Sequence, residues 1–260
     1  MVRKLTVEFG DELDTSLVMG GLSRSYGDPG LPIERQRVAG LLRHWLEAAD
    51  ATSMPLDPLL WTEGPIHSTY PACMAVEAAG EQGRAEPYLR ALREGLMCFR
   101  RKLDTTEALV EEARRAGLDV ERFRIDLASN AIVEKLGADL ERARDIPAEA
   151  LTEEGAVVGD RLTIPSFCFT GADGVEHWVF GFAPYERFRE AAEAAGARAV
   201  DAPPPSVQQA LRRFGRMAAR EVELVCALPG PRVAAELWRL ATEWQVRPVP
   251  VLTGHLWEPA

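Results

Sequence analysis

From Ile33 to Arg144 apolar residues recur at spacings of three and four with few interruptions, which predicts a series of helices. Val38, Leu41, Leu42, Trp45 and Leu46 mark one apolar face of a helix over Ile33–Ala49. Further helices are expected over Pro71–Glu81, over Pro87–Leu103 with Leu89, Leu92, Leu96, Met97 and Phe99 inward, and over Ala108–Ala116, Asp119–Leu127 and Asn130–Arg144. Gln82-Gly83 and Gly117 are stops, and Asp104-Thr105-Thr106-Glu107 is a capping-box type of start. Ahead of the block, Val2, Leu5 and Phe9 share a face, so the chain opens on the tail of a helix that Gly10 ends. Leu13, Thr15, Leu17 and Met19 alternate, which predicts a strand closed by Gly20-Gly21, and a polar loop follows over Ser23–Leu31. Asp50–Tyr70 carries several prolines and reads as an irregular stretch, but Met54, Leu59, Leu60, Trp61 and Ile66 predict that it is ordered and packed.

Beyond the helices the period falls to two. Arg161–Thr170 is β-branched and aromatic with Pro165 set into it; Gly171-Ala172-Asp173-Gly174 is a turn, and His177–Phe182 is a second strand. Pro184 opens a helix that runs to about Gly196. A proline cannot donate to a ladder, so Pro165 stands at a strand entrance, and its bond to Ile164 is expected to be cis. Pro203-Pro204-Pro205 reads as a stiff linker. After it, helices over Val207–Phe214, Ala218–Cys226 and Val233–Trp244 and a hairpin over Val246–Leu252 and Gly254–Trp257 follow in winged-helix-like order. Its would-be recognition helix, Arg232–Glu243, sets Glu236 and Glu243 against Arg232 and Arg239. That is no phosphate-binding face, so packing or partner docking is the expectation there.

The 260 residues are 47% hydrophobic and 27% charged, as in ordinary globular chains, with a net charge of −10. An acidic chain without a basic run argues against nucleic acid and anionic membrane surfaces, and no apolar stretch is long enough to cross a bilayer. Cys73, Cys98, Cys168 and Cys226 are scattered and form no CxxC, which fits a cytoplasmic location better than a disulfide framework.

Three stretches carry a family resemblance: Val18-Met19-Gly20-Gly21-Leu22, Ser68-Thr69-Tyr70-Pro71-Ala72 and Thr163-Ile164-Pro165-Ser166-Phe167. In this order, and with Tyr70–Ala79 and Ala116–Phe123 in detail, they resemble the DsbA-like thioredoxin-fold family. Within it the chain is most similar to the cytosolic branch of FrnE-type oxidoreductases and of protease adaptors that deliver the Spx regulator. The resemblance runs over roughly residues 1–195, and more loosely beyond. It implies an α/β, thioredoxin-like core over residues 1–32 and 151–200, a helical insertion over 33–150 and a small helix-turn-helix-like module over 201–260.

The family's motif is a strand followed by CxxC at a helix start, where the helix dipole favours a thiolate. Met1–Leu5 would lie just after that motif, so the strand and the cysteine pair are both missing from this chain. A late-called start, a truncation and a true loss of redox chemistry each explain this. The first is favoured, because a sheet without that strand exposes apolar surface and two unpaired edges. The family implies disulfide oxidoreductase ancestry; a non-catalytic, protease-adaptor type of protein is the alternative, and a glutathione-dependent isomerase a third. The expected partners are protein or peptide clients. Glutathione remains a candidate because related isomerases bind it near this point, and a second copy could supply the missing edge strand.

Thr163, Ile164 and Pro165 are the candidate substrate-contacting turn; against that stands a purely structural strand-entrance proline. Cys73 in the first turn of its helix could be a reactive thiolate, or a small buried hydrophobe, since no basic partner or second cysteine is near in sequence. His67, Ser68, Thr69 and Tyr70 precede that helix; a His-Ser pair could bind a thiol or a carbonyl, and the plainer role is loop and cap chemistry. Met19 ends the predicted strand beside them. No metal-ligand spacing, phosphate-binding glycine loop or G-x-S-x-G elbow occurs, so no cofactor is expected.

Overall fold

The computed structural model describes residues 1–27 and 31–260, so residues 28–30 of the Ser23–Leu31 loop lie outside it. Helix α1 (Val2–Phe9) ends at Gly10, whose φ of 57° suits a residue without a side chain. The chain then reaches α2 (Arg35–Thr52) and the single turn α3 (Leu60–Glu63). Trp61 on α3 is almost fully buried, with Tyr26 at 4.9 Å and Trp45 at 5.6 Å edge-on to it. This aromatic cluster orders the proline-bearing stretch, as its apolar residues predict.

Five helices build the next layer: α4 (Tyr70–Gly80), α5 (Ala85–Phe99), α6 (Thr106–Arg115), α7 (Val120–Leu127) and α8 (Asn130–Arg142). Ala75, Val76, Ala78 and Ala79 are buried, and these small residues let α5, α7 and α8 close on α4 from several sides. Thr105, Asp119 and Ser129 cap α6, α7 and α8 with their side chains. Tyr88 is fully buried and donates its hydroxyl to the Leu109 carbonyl at 2.8 Å, which removes the cost of burying a phenol.

After the short α9 (Ala148–Thr152), β1 (Val157–Val158) and β2 (Arg161–Leu162) form a two-residue hairpin. Pro165 interrupts the predicted first strand, and pairing resumes as β3 (Ser166–Thr170), antiparallel to β4 (Glu176–Phe180). The Gly181 N–H bond to the Pro165 carbonyl at 2.8 Å sets the ladder phase, so Ser166, Cys168 and Thr170 turn their main-chain groups to the open edge of β3. Helix α10 (Tyr185–Ala194) starts after Pro184 and packs Phe188 against Phe167 and α1.

One expectation fails here. Leu13–Met19 is not a strand. Alternation describes a surface that could pair, but a strand needs a neighbour, and none of the described strands runs beside this segment. Leu17 and Met19 pack instead against the α4–α8 core.

The C-terminal part runs α11 (Val207–Phe214), β5 (Met217–Ala218), α12 (Ala219–Cys226), α13 (Gly230–Thr242), β6 (Val246–Val251) and β7 (Gly254–Pro259), with sheet order β5-β7-β6. This is the order of a winged helix, completed by the two-residue β5 between the first two helices. The wing does not project freely. Its turn residue Thr253 accepts from Leu56 N–H at 2.7 Å and donates from its own N–H and hydroxyl to the Leu56 carbonyl at 3.2 and 2.9 Å. Ion pairs hold the same seam: Arg90 grips Glu221 through two 2.9 Å bonds and Glu94 at 2.6 Å, while Arg3 of α1 reaches Glu221 at 3.2 Å.

Candidate functional site

The candidate residues fall into two groups. The first surrounds Gly20-Gly21. The Ile164–Pro165 peptide bond is cis. Thr163 N–H donates to the Ala156 carbonyl at 2.8 Å, and the Ser166 hydroxyl donates to the Thr163 carbonyl at 2.7 Å, so the turn is held from both ends. Ile164 is 42% exposed, yet its Cδ1 lies where a Cβ on Gly20 would come within 2.5 Å. Gly21, at φ 58°, has Leu140 and the Tyr70 ring against the position of its missing Cβ. Gly21 is required by its backbone and by close approach, whereas at Gly20 the near atom is the free end of exposed Ile164. Buried Met19 donates its N–H to Asp139 Oδ2 at 2.5 Å, which fastens the glycine turn to α8.

Cys73, one turn into α4, is half-buried, and burial pushes its thiol up to about 11; a hydrogen bond from the Gly21 backbone acts the other way without winning, and Asp139 and Glu77 add to the rise. Of the two readings of Cys73, desolvation and the two carboxylates favour the small buried hydrophobe over the thiolate. Glu77 is itself held above the usual carboxylate range, first by burial and then by Asp139, with Lys135 at 3.7 Å opposing. Burial pushes Cys98 up to about 12 and Cys226 to about 11, and raises Cys168 too. Cys168 is half-buried rather than core, on the open side of β3.

The second group does other work. His67 N–H donates to Asp104 Oδ2 at 2.7 Å, and the His67 carbonyl accepts from Tyr26 N–H at 2.7 Å. Ser23 N–H donates to Thr69 Oγ1 at 2.9 Å, and Thr69 N–H to the Ser23 carbonyl at 3.0 Å. The Ser68 hydroxyl accepts from Tyr70 N–H at 3.1 Å. His67, Ser68 and Thr69 thus zip the Ser23–Tyr26 loop to the start of α4. Thr69 stands at the cap position, but its hydroxyl serves the loop and makes no cap bond.

Asp139, Leu140 and Arg144, which brace the glycine turn and the turn between β1 and β2, went unnoticed in the sequence, where they are ordinary positions of an amphipathic helix. Arg144 reaches Asp160 at 2.9 Å and donates to the Leu140 carbonyl at 2.9 Å. Beside the turn, Leu22 (57%) and Phe182 (74%) are exposed apolar side chains. Among the described residues no group of three or more histidines, cysteines or carboxylates could hold a metal ion, and no helix is long and apolar enough to cross a membrane.

The thioredoxin family model matches residues 4–151, more than half of the chain. The chain belongs to the thioredoxin family. Among curated members, it is 26% identical to the ClpXP adapter protein SpxH of Halalkalibacterium halodurans, over 99% of this chain and 82% of the relative. It is 27% identical to the ClpXP adapter protein SpxH of Bacillus subtilis, over 84% of this chain and 71% of that one. Among solved structures, a "putative protein disulfide isomerase" from Nitrosomonas europaea superposes with a TM-score of 0.50 at 20% identity, covering 65% of this chain and 78% of that one, which speaks for the fold alone. A thioredoxin-like α/β fold with a large helical insertion accounts for the element order and for the turn of Pro165 beside Gly20.

Proposed function

We propose that this thioredoxin-family chain works as a non-catalytic adaptor, holding a protein client for a ClpXP-type protease. The observation that carries the reading is the state of its thiols: all four cysteines are free and all four are pushed up by burial. Dithiol exchange needs an attacking thiolate beside a second sulfur, and burial disfavours the thiolate at each of these scattered, unpaired cysteines. What the Pro165 turn offers instead is surface: exposed Ile164 and Phe182 beside the open edge of β3, the kind of apolar and main-chain surface a protein client can cover. The adapter relatives, similar over nearly the whole chain, support the same reading.

The test is reconstitution. Degradation of Spx by purified ClpXP is followed with and without the chain, beside an insulin-reduction assay. The adaptor reading expects accelerated degradation and no insulin turnover. Insulin reduction by this chain, or degradation indifferent to it, would overturn it.

A further inference from the structure

The seam between the helical block and the wing holds an open cleft of about 350 Å³ that the Pro165 site does not explain. Phe99, Arg101, Arg216, Arg247, Pro248 and Pro250 line it, with the Glu258 carboxylate at its base. Its charge is layered. Arg101 donates through Nη1 to both oxygens of Glu112 at 2.9 and 2.7 Å, Arg216 pairs with Glu94 and Glu258, and Arg247 with Glu258. The glutamates are almost covered, Glu112 at 4% side-chain exposure and Glu258 at 12%, whereas Arg101 stands at 36% and Arg247 at 68%. The carboxylates sit behind and aim the guanidiniums outward, so solvent meets cations.

Donors remain to spare. Among the described residues Arg101 Nε and Nη2 and Arg247 Nε and Nη1 carry no hydrogen bond. The guanidiniums of Arg101 and Arg216 lie over the Phe99 ring at 5.5 and 5.2 Å, which fixes their planes. Exposed Lys102 follows Arg101. Arg101, Arg216 and Arg247 are matched in number by Glu94, Glu112 and Glu258, and what sets the cleft apart is that its cations are the more exposed members of the pairs.

The local fold is built to present it. Arg100 takes a left-handed conformation at φ 52° and ends α5, and the Arg101 N–H closes back on the Gly95 carbonyl at 2.8 Å. Gly95 leaves room for the Arg101 stem, whose Cδ would lie 3.3 Å from a Cβ there. On the wing side, the Ala260 N–H bond to the Gln245 carbonyl sets the ladder phase, so Arg247, Val249 and Val251 bond to β7 while Pro248 and Pro250 face the free edge of β6. That edge lacks donors at both prolines and cannot accept a regular added strand. A docked segment is held there by its side chains.

We infer that this cleft binds an acidic segment of a protein partner, its carboxylates on Arg101 and Arg247 and an apolar side chain against Phe99 and Pro248. The inference deepens the adaptor reading and rests on it for the class of partner. A protein segment is favoured over nucleic acid because Phe99, Pro248 and Pro250 give the cleft an apolar part beside its arginines, and because Glu236 and Glu243 occupy Arg239 on the neighbouring α13.

The probe is a short fluorescein-labelled peptide of alternating glutamate and leucine, read by anisotropy against its glutamine counterpart. The expected result is binding of the acidic peptide only, weakening with salt and falling about tenfold or more in Arg247→Glu. Lys102→Glu, next to Arg101 in the chain and exposed, gives a second and smaller loss, and Arg232→Glu on the exposed face of α13 gives none. Absence of binding, equal binding of the glutamine peptide, indifference to both cleft variants, or displacement by an oligothymidylate at equal concentration would overturn the proposal. Because this assay contains neither protease nor client, its failure and the failure of the adaptor reading are separable.

Discussion

Gly20 and Ile164 meet so closely that a methyl group on Gly20 would stand 2.5 Å from Ile164 Cδ1. The contact couples the turn after Met19 to the turn of Pro165, which are far apart in sequence. Gly20→Ala is therefore expected to destabilise the protein by about 1 kcal/mol, since the clashing Cδ1 is the far end of the exposed Ile164 side chain, which can turn aside. In an Ile164→Ala background the same substitution should cost far less, because the clashing atoms are gone. Denaturant unfolding of the four proteins of this cycle measures the coupling. Equal costs in both backgrounds would separate the two turns.

Gly21 is the harsher site. Its φ is 58°, and Leu140 and Tyr70 fill the space a side chain needs. Gly21→Ala should combine left-handed strain of about 1–2 kcal/mol with a clash against packed side chains. Thermal unfolding should place its midpoint below that of Gly20→Ala.

The wing is clasped by one residue. Thr253→Val removes the hydroxyl that both accepts from Leu56 N–H and donates to the Leu56 carbonyl, leaving only the 3.2 Å main-chain bond. A loss of about 1–3 kcal/mol is expected, since it leaves Leu56 polar groups short of a partner in a partly buried place. Hydrogen exchange at Leu56 should quicken more than exchange in α4, a contrast that a general loss of stability would not give.

Acid should loosen the seam. Burial pushes the Glu221 carboxyl up, but Arg90 and Arg3 outweigh burial and the net shift is downward. A carboxyl lowered on folding contributes stability that is fully present above its unfolded value of about 4.3 and is lost as pH falls through the lower folded value. Glu221→Gln should cost about 1–3 kcal/mol at neutral pH, because Arg3 and Arg90 lose their shared charged partner while Arg90 keeps Glu94, and should flatten the fall in stability below about pH 4.5. A melting curve series across pH reads both effects.

Local chemistry made most of the fold legible. Gly10, Thr105 and Asp119 mark helix ends by mechanisms that need no tertiary context, and the structure sets stops or caps there. Pro165 marked the break between β2 and β3 for the same reason: a missing N–H is a property of the residue. The misread parts are those decided by partners. Leu13–Met19 alternates like a strand but has no neighbour to make it one, and Met217-Ala218 becomes a strand only because Leu256 and Trp257 lie beside it. Cys73 occupied the right helical turn for a thiolate, but burial by the surrounding fold raises its thiol first, and Asp139 on another helix and Glu77 only add to the rise. His67, Ser68 and Thr69 stood next to the site in sequence and turned to the Ser23–Tyr26 loop. The arginine cleft draws on Phe99–Arg101, Arg216, Arg247–Pro250 and Glu258, separate stretches with no shared motif, and only packing brings them to one place.

The claim that matters most is that client handling does not depend on sulfur. It is tested by replacing Cys73, Cys98, Cys168 and Cys226 together with alanine or serine and measuring ClpXP-dependent degradation of Spx at matched folded concentrations. The expected rate equals that of the unaltered chain. A rate that collapses in a variant whose melting and peptide binding are intact would contradict it and return the chain to thiol chemistry.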